Sequence, residues 1–327
     1  MGRERVALFG PTESEQVTAM AAAFRGEGAD LTVLDNRLGG SGTPRVAMDP
    51  GRMLWQGVDL SGFGAAVLRG TAPNTLPALP PLLHAASFSR WREGYLKEQS
   101  TAATTLSFFE ELSRRGTLVV NRLTCGYTDH DSKGQLYPKL AAWGFPVPAA
   151  LTTNDPREAA EFRRLHGEIV VKPAMGVGST RAVEPDESLE GIAHCPVLLQ
   201  QRIHGDTLRV HVVGDQAVLT LRILNEGGVD SRTGTRAFEP AALPPGEGEK
   251  IARATWKLGL HYAAWDVILN DNGPRYLDCN PGPFVMWIGT TLADGVFRRL
   301  ARYVLEFSRT GEREAACRAV EPVPTGP

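Results

Sequence analysis

The N-terminal third of the chain alternates short apolar runs with a stretch of helical periodicity. Apolar side chains fill positions 6–9 and three of the four positions 31–34, and Val17, Met20 and Phe24 recur between them at the spacing of one helix face. A strand, a helix from about residue 14 and a second strand form a unit typical of a parallel sheet. The pattern further predicts strands over 65–69 and 118–120, a helix over 100–114, a Gly-rich loop over 38–52 and a Pro-rich break over 73–81.

Beyond residue 130 the pattern changes to helices interspersed with antiparallel strand pairs. The turns Gly214-Asp215 and 270–273 each separate two apolar runs, which predicts two β-hairpins. Asp155-Pro156 reads as an N-cap followed by proline, so a helix is expected to begin there. The polar tail after Arg309 is expected to fray. The pattern predicts helices over 133–143, 246–258 and 291–307, and strands over 169–171, 197–199, 210–213, 217–221, 263–269 and 275–277.

Composition argues against several classes of function. The chain has 327 residues, of which 42% are hydrophobic and 22% charged, and this length predicts two or three subdomains. The net charge of -2 gives no broad attraction to nucleic acid or to an anionic membrane. The sequence has no apolar run long enough for a signal peptide or a membrane span, and its four cysteines form no CxxC pair. We therefore expect a cytoplasmic protein with free thiols and with no nucleic-acid or membrane partner.

The strongest candidate for chemistry lies in the second predicted hairpin. Asp266 belongs to one of its strands, and Asp278 and Asn280 lie at the end of the other, so the turn can bring three oxygen ligands together. Two carboxylates and an amide suit Mg2+, which keeps waters and binds substrate phosphates. The alternative is that Asp278 and Asn280 only form the turn after the strand, as these residue types often do.

A second candidate is Lys172, at the end of the apolar strand 169–171. It precedes the Gly-rich segment 176–180, and such a lysine can neutralise phosphate while loop N–H groups surround it. The segment lacks the further glycine of GxGxxG and the GK[ST] ending of a P-loop, so a different kind of phosphate site is indicated. The alternative is a surface lysine beside an ordinary loop.

The order of these segments resembles the ATP-grasp superfamily, in particular the RimK-like carboxylate–amine ligases and the related graspetide synthetases. The resemblance covers roughly residues 128–304. It implies that two lysines and the Gly-rich loop hold the ATP phosphates, that the segment 198–203 is the hinge beside adenine, and that an acidic residue contacts ribose. The residues assigned to the nucleotide in this way are Lys133, Lys172, Gly176, Gly178, Ser179, Gln200, Gln201, Ile203 and Asp206.

The same resemblance implies roles at the reacting end of the site. Arg209 would contact the acyl-phosphate region, and Arg232 would lie by the γ-phosphate or the acyl phosphate. Two Mg2+ ions would be held by Asp266, Asp278 and Asn280.

This chain departs from the family pattern in three places. The second metal carboxylate is usually Glu and is here Asp278, which is one methylene shorter. Asp206 stands one position before the usual acidic residue, and Thr207 occupies the familiar place. The Asn-Pro-Asn-Gly of the graspetide branch is replaced by 280–283, Asn-Pro-Gly-Pro.

The resemblance implies an α/β (α+β) protein with the ATP-grasp fold behind a smaller N-terminal pre-ATP-grasp domain with a parallel sheet. Its expected parts are residues 1–125, 126–194 and 195–310 and a flexible tail, 311–327. The implied reaction uses ATP and Mg2+ to join a carboxylate to an amine through an acyl phosphate, on small-molecule or peptide substrates. A homo-oligomer is common in the family. Two alternatives keep the ATP site, namely an ATP-grasp-type kinase and a degenerate ATP-binding regulator.

Two further polar residues of the predicted strands leave alternatives open. His211, inside a strand, is interpreted as a packed or strand-surface residue rather than a catalytic one. Arg222 either lines the substrate cavity or is an ordinary surface arginine.

Overall fold

The structure is a computed structural model that describes residues 4–36, 45–69, 85–124, 133–174, 180–225 and 236–324. The chain divides into two compact units. Unit 1 comprises 1–124 with 301–316, and unit 2 comprises 125–300 with 317–327. The expected boundary after residue 125 lies beside this division, whereas the finer expected division at residue 194 stays a prediction.

Unit 1 is built around a four-stranded parallel sheet. Its elements up to residue 124 are, in chain order, β1 (Arg5–Phe9), α1 (Glu15–Gly26), β2 (Asp30–Leu34), β3 (Val46–Asp49), β4 (Arg52–Trp55), β5 (Val58–Asp59), β6 (Ala65–Leu68), α2 (Ala85–Arg114) and β7 (Leu118–Val120). The strand order in the parallel sheet is β2-β1-β6-β7, and β1 pairs in parallel with β2 and with β6. The predicted strand–helix–strand unit is therefore confirmed.

Two parts of unit 1 differ from the sequence-based expectation. The segment expected to be a loop over 38–52 contributes β3 and β4, which form a small antiparallel sheet with β5. These strands are two to four residues long, so they offer too few alternating positions to recognise, although Met53 and Trp55 are fully buried in the core. Helix α2 begins at Ala85 rather than near residue 100, because its first half includes exposed apolar residues such as Phe88 and lacks a buried periodic face.

Unit 2 begins with a helix and a four-stranded antiparallel sheet. These are α3 (Lys133–Ala142), β8 (Ala150–Thr153), α4 (Pro156–His166), β9 (Ile169–Pro173), β10 (Arg181–Ala182), a 3-10 turn (Glu190–His194) and β11 (Val197–Gln201). The strand order is β10-β9-β11-β8, and Phe162 of α4 packs against Leu199 in the core of this layer. The expected N-cap is confirmed, since the Asp155 carboxylate accepts a hydrogen bond of 2.8 Å from the Arg157 N–H. Strand β11 pairs within this sheet, although the expected division at 194 would place it in the next part.

A second, five-stranded antiparallel sheet follows. Its elements are β12 (Asp206–Val213), β13 (Gln216–Asn225), β14 (Arg236–Pro240), α5 (Glu247–Lys257), β15 (Tyr262–Asn270) and β16 (Gly273–Asn280). The order is β14-β13-β12-β15-β16, so both predicted hairpins, β12–β13 and β15–β16, are confirmed. Helix α5 covers one face, where Ile251 packs with Val210 and Trp265 in a fully buried core. The opposite face of the sheet carries the polar residues considered below.

The C-terminal end is ordered as far as it is described, which corrects the expected flexible tail. A 3-10 turn (Met286–Ile288), helix α6 (Thr290–Thr310) and helix α7 (Arg313–Arg318) complete the fold. The Val323 N–H donates to the Val218 carbonyl at 2.7 Å, and Arg299 donates to the carbonyls of Glu321 and Pro322. Buried Val320 and Val323 supply the apolar contacts that a fraying tail would lack. Within the described ranges, no helix combines the length and the apolarity that crossing a bilayer requires.

Candidate functional site

Three neighbouring strands of the five-stranded sheet place Arg209, Asp266 and Asp278 side by side. Arg209 of β12 pairs with Asp266 of β15, and Asp266 pairs with Asp278 of β16. Directly paired residues of antiparallel strands project from the same face, so the three side chains form one row. The residues that alternate with them, such as Val210 and Trp265, face the buried core under α5.

A β-bulge allows β16 to place Asp278 in this row and Tyr276 in the core on the opposite face of the sheet. Asp266 pairs with Asp278, but the next residue, Val267, pairs with Tyr276, so Leu277 is the extra residue of β16. Without the bulge, Tyr276 and Asp278 would project from the same face. With it, Tyr276 is fully buried against α5 while Asp278 turns to the opposite face.

Each carboxylate of the row is bound by a cationic side chain. Lys133 Nζ lies 2.5 Å from Asp278 Oδ2, and Arg209 Nη1 lies 2.6 Å from Asp266 Oδ1. Both cations are largely buried, with 9% of each side chain exposed. Burial opposes the charge of Arg209, but the neighbouring Asp266 carboxylate outweighs it and raises the pKa of the guanidinium.

Asn280 holds the turn that follows the row. Its Oδ1 accepts a hydrogen bond of 3.0 Å from the Gly282 N–H, which is the turn-forming role of the alternative interpretation. An amide oxygen has two lone pairs, so this bond leaves capacity for a cation. The two interpretations of Asn280 are therefore compatible.

The candidate metal ligands fit Mg2+ in number and chemistry. Within the described ranges there is no cluster of three or more His, Cys, Asp or Glu residues that could hold a metal ion. Mg2+ does not need one, because it is held by one or two carboxylates while waters and substrate phosphates complete its octahedron. Two carboxylates in register and one amide oxygen match that requirement.

A short series of hydrogen-bonded side chains connects Lys172 to the strand that carries Asp278. Lys172 Nζ lies 2.7 Å from Gln200 Oε1, and the Tyr137 hydroxyl lies 2.7 Å from the same oxygen and 2.9 Å from the Leu277 carbonyl oxygen. Burial, followed by the charges of Asp278 and Asp266, raises the pKa of Tyr137, so it stays a neutral hydroxyl.

Sequence analysis missed Tyr137, although a signal was present. Tyr137 lies four residues after Lys133 on the same face of α3, and both side chains contact groups of β16.

The predicted hinge is the end of β11 and the residues after it. Gln200 is buried, while Gln201 and Ile203 are half-buried. The Gln201 N–H donates to the Ala149 carbonyl at 2.9 Å, and the role of this segment beside adenine stays a prediction.

Asp206 lies away from the row. Its carboxylate is 3.1 Å from Arg222 Nη2, and Arg222 pairs with Leu208, whose side chain belongs to the core under α5. Strand alternation therefore directs Asp206 to that side and Thr207 to the side of Arg209. The ribose contact of Asp206 stays a prediction, and the predicted residues Gly176, Gly178, Ser179 and Arg232 lie outside the described residues.

Two residues that sequence analysis did not assign to the site lie beside Arg209. The guanidinium carbon of Arg209 is 6.0 Å from the Trp287 ring, and Phe238 packs edge-on against the same ring at 4.7 Å between centroids. His211, two residues along β12, is fully buried, and neither ring nitrogen has a hydrogen-bond partner among the described residues. Burial, and then the positive charge of Arg209, lowers its pKa to about 3, so His211 is neutral.

The four- and five-stranded antiparallel sheets and the positions of the lysines and carboxylates agree with the expected ATP-grasp fold. Residues 130–284 match the family model described as an ATP-grasp domain, so the chain contains an ATP-grasp domain and the predicted superfamily is confirmed. No curated protein sequence matches the chain significantly.

Solved structures agree with this fold along nearly the whole chain. The ATP-grasp ligase PsnB complexed with minimal precursor superimposes with a TM-score of 0.78 at 22% identity, over 94% of this chain and 99% of that one. The macrocyclase MdnC bound with precursor peptide MdnA, from Microcystis aeruginosa MRC, gives a TM-score of 0.66 at 19% identity, over 90% and 99%. A RimK domain protein ATP-grasp from Sphaerobacter thermophilus gives 0.60 at 20% identity, over 91% and 98%. At these identities the likeness establishes the fold.

Proposed function

We propose that this protein is an ATP-dependent carboxylate–amine ligase that uses Mg2+ and acts on a peptide. The observation that carries the proposal is the row of Arg209, Asp266 and Asp278 with Lys133 at its end, inside an ATP-grasp domain. The complexes of PsnB with precursor peptide PsnA2 and of MdnC with precursor peptide MdnA favour a peptide over a small molecule as the substrate. A PsnB complex that contains Mg and ADP supports the same cofactors here.

The proposed reaction has two steps. A carboxylate oxygen attacks the γ-phosphorus of ATP, and the bond between that phosphorus and the oxygen bridging to the β-phosphate breaks. The products of this step are ADP and an acyl phosphate. An amine then attacks the acyl carbon, phosphate leaves with its oxygen, and the nitrogen loses its proton, so one amide forms for each ATP used. Bound Mg2+ supplies charge neutralisation on the phosphates.

The side chains of this chain supply binding and orientation. Lys133 and Lys172 would neutralise phosphate oxygens, and Arg209, which is paired with Asp266, would contact the transferred group. Asp266, Asp278 and Asn280 hold the metal. Tyr137 fixes Gln200 and, through it, the position of Lys172. Much of the rate enhancement then comes from positioning and fixed charge.

Hydroxylamine trapping tests the proposal. The protein is incubated with Mg-ATP and pools of carboxylate-containing peptides, with hydroxylamine as the nucleophile. A peptide hydroxamate formed with ADP supports an acyl phosphate. A stable phosphorylated product that forms no hydroxamate supports the kinase, and nucleotide binding without turnover supports the regulator. A cytoplasmic location and a homo-oligomer belong to the same proposal and are tested by fractionation and by light scattering.

A further inference from the structure

The carboxylates proposed to bind the metal ion are already paired with cationic side chains of the protein itself. We infer that Lys133 and Arg209 are built-in counter-ions that compete with Mg2+ for Asp278 and Asp266, so that the metal ion and the ATP phosphates bind together rather than one before the other. This inference deepens the proposed function and rests on its assignment of the ATP and metal site.

The contacts are short enough to compete with a metal ion. Lys133 Nζ approaches Asp278 Oδ2 to 2.5 Å, and Arg209 Nη1 approaches Asp266 Oδ1 to 2.6 Å. The other Asp278 oxygen, Oδ1, accepts the Cys279 N–H at 3.0 Å. A cation at 2.0–2.1 Å from the same oxygens, as Mg2+ requires, would lie directly beside the Lys133 ammonium and the Arg209 guanidinium, whose positive charges oppose it.

Charge balance gives the same result. Two carboxylates and two cationic side chains sum to zero, so a divalent ion that approaches the row meets no net negative charge. The side chains are 9% exposed for Lys133 and Arg209, 17% for Asp278 and 28% for Asp266, so solvent screens these charges less than it screens charges on the surface. The row alone is therefore a poor metal site.

ATP reverses this balance. Its phosphates offer anionic oxygens to the two cations, and each cation that moves to phosphate releases one carboxylate to Mg2+. Arg209 has a donor available for a phosphate oxygen, because its buried Nε has no hydrogen bond among the described residues. Lys133 is the first residue of α3, and its flexible side chain can reorient without moving the helix.

Equilibrium binding of Mn2+, a spectroscopic substitute for Mg2+, tests the inference without any ligase substrate. Electron paramagnetic resonance measures Mn2+ affinity with and without AMPPNP, and calorimetry measures AMPPNP affinity. In Lys133→Met and Arg209→Met, Mn2+ should bind roughly fivefold tighter without nucleotide, because a competing cation is gone. AMPPNP should bind roughly tenfold weaker in the same variants, because a charged phosphate contact is lost.

Matched variants keep the test decisive. Lys133→Gln and Arg209→Gln retain hydrogen-bonding groups and serve if the methionine variants fail to fold. Lys250→Met is the control, since Lys250 lies 3.5 Å from Glu247 in α5, on the other face of the sheet, and both affinities should stay unchanged. Adding Asp278→Asn to Lys133→Met should remove the gain in Mn2+ affinity.

Unchanged or weaker Mn2+ binding in the nucleotide-free Lys133 and Arg209 variants overturns the inference, as does a gain that persists with Asp278→Asn. These outcomes are independent of the hydroxylamine assay. The proposed ligase activity can therefore be confirmed while the counter-ion role is disproved, and the counter-ion role can be confirmed while the ligase activity is disproved.

Discussion

Lys133 Nζ lies 2.5 Å from Asp278 Oδ2, although 145 residues of sequence separate the two. Lys133 begins helix α3, and Asp278 lies in the bulged strand β16, two residues before its end. The lysine proposed to bind phosphate and the carboxylate proposed to bind the metal thus share one contact, and both side chains are largely buried. Removing either partner leaves the other as an unpaired charge, which costs more stability than the pair contributes.

Asp278→Asn is expected to lower the rate of ADP release by roughly 100-fold or more, because the neutral amide holds Mg2+ less tightly and the phosphates then lose metal charge in the transition state. Steady-state ADP release measures the loss, and circular dichroism checks that the fold is kept. Asp278→Glu is the matched variant, since it restores the charge with one additional methylene, and it should stay within about tenfold of wild type. Equal losses in both variants would contradict a role for the charge.

Tyr137→Phe is expected to weaken nucleotide binding and to lower the free energy of unfolding by about 1–3 kcal/mol, because Gln200 and the Leu277 carbonyl lose a buried partner. Urea unfolding and calorimetric titration with AMPPNP measure the two effects. Tyr276→Phe is the control, because its hydroxyl bonds Glu247 on the other face of the sheet. That variant should lose stability with unchanged nucleotide affinity, and equal weakening in both would argue against a local role of Tyr137.

The elements that periodicity predicts correctly are those that bury one complete face. Helix α5 and the hairpin of β15 and β16 contribute whole apolar rows to a single core, so their spacing carries the signal. The strands that sequence analysis missed are β3, β4, β5, β8, β10 and β14, which have two to five residues. Their pairing partners hold them in place, and a short strand shows too few alternating positions to be recognised.

The site could be predicted only in part. Asp206 and Arg209 are an odd number of residues apart on β12, so strand alternation alone directs them to opposite faces of the sheet. The bulge at Leu277 has no comparable signal in the sequence, since it arises from a register change between β15 and β16. The contact of Lys133 with Asp278 depends on that register, and the contact of Arg209 with Asp266 depends on the pairing of β12 with β15, so both follow only from the tertiary fold.

Arg299→Met is expected to release the C-terminal segment. Arg299 is buried and donates to the carbonyls of Glu321 and Pro322 at 2.7 Å each and to that of Gly295 at 3.1 Å. Without these bonds, the Val323 amide should exchange its hydrogen roughly tenfold faster or more. Hydrogen exchange measured by mass spectrometry on the terminal peptide reports this change. Arg298→Met is the control. Arg298 precedes Arg299 by one position and forms an exposed ion pair with Asp294, so its replacement should leave the exchange rate unchanged.

His211 is expected to make the protein less stable as the pH falls. Burial, and then the charge of Arg209, lowers its pKa from 6.5 to about 3 in the folded chain. Between these values the unfolded chain takes up a proton that the folded chain refuses, so the free energy of unfolding drops as pH falls below about 6.5, by on the order of 1 kcal/mol per pH unit. His211→Leu removes the titrating group and keeps a similar volume. Urea unfolding is measured at pH 7.5, 6.5, 5.5 and 4.5, settings on both sides of the unperturbed histidine pKa of roughly 6.5. As the pH falls, the variant should become steadily more stable relative to wild type. Parallel curves for the two proteins would mean that His211 accepts a proton in the folded state and is not held neutral beside Arg209.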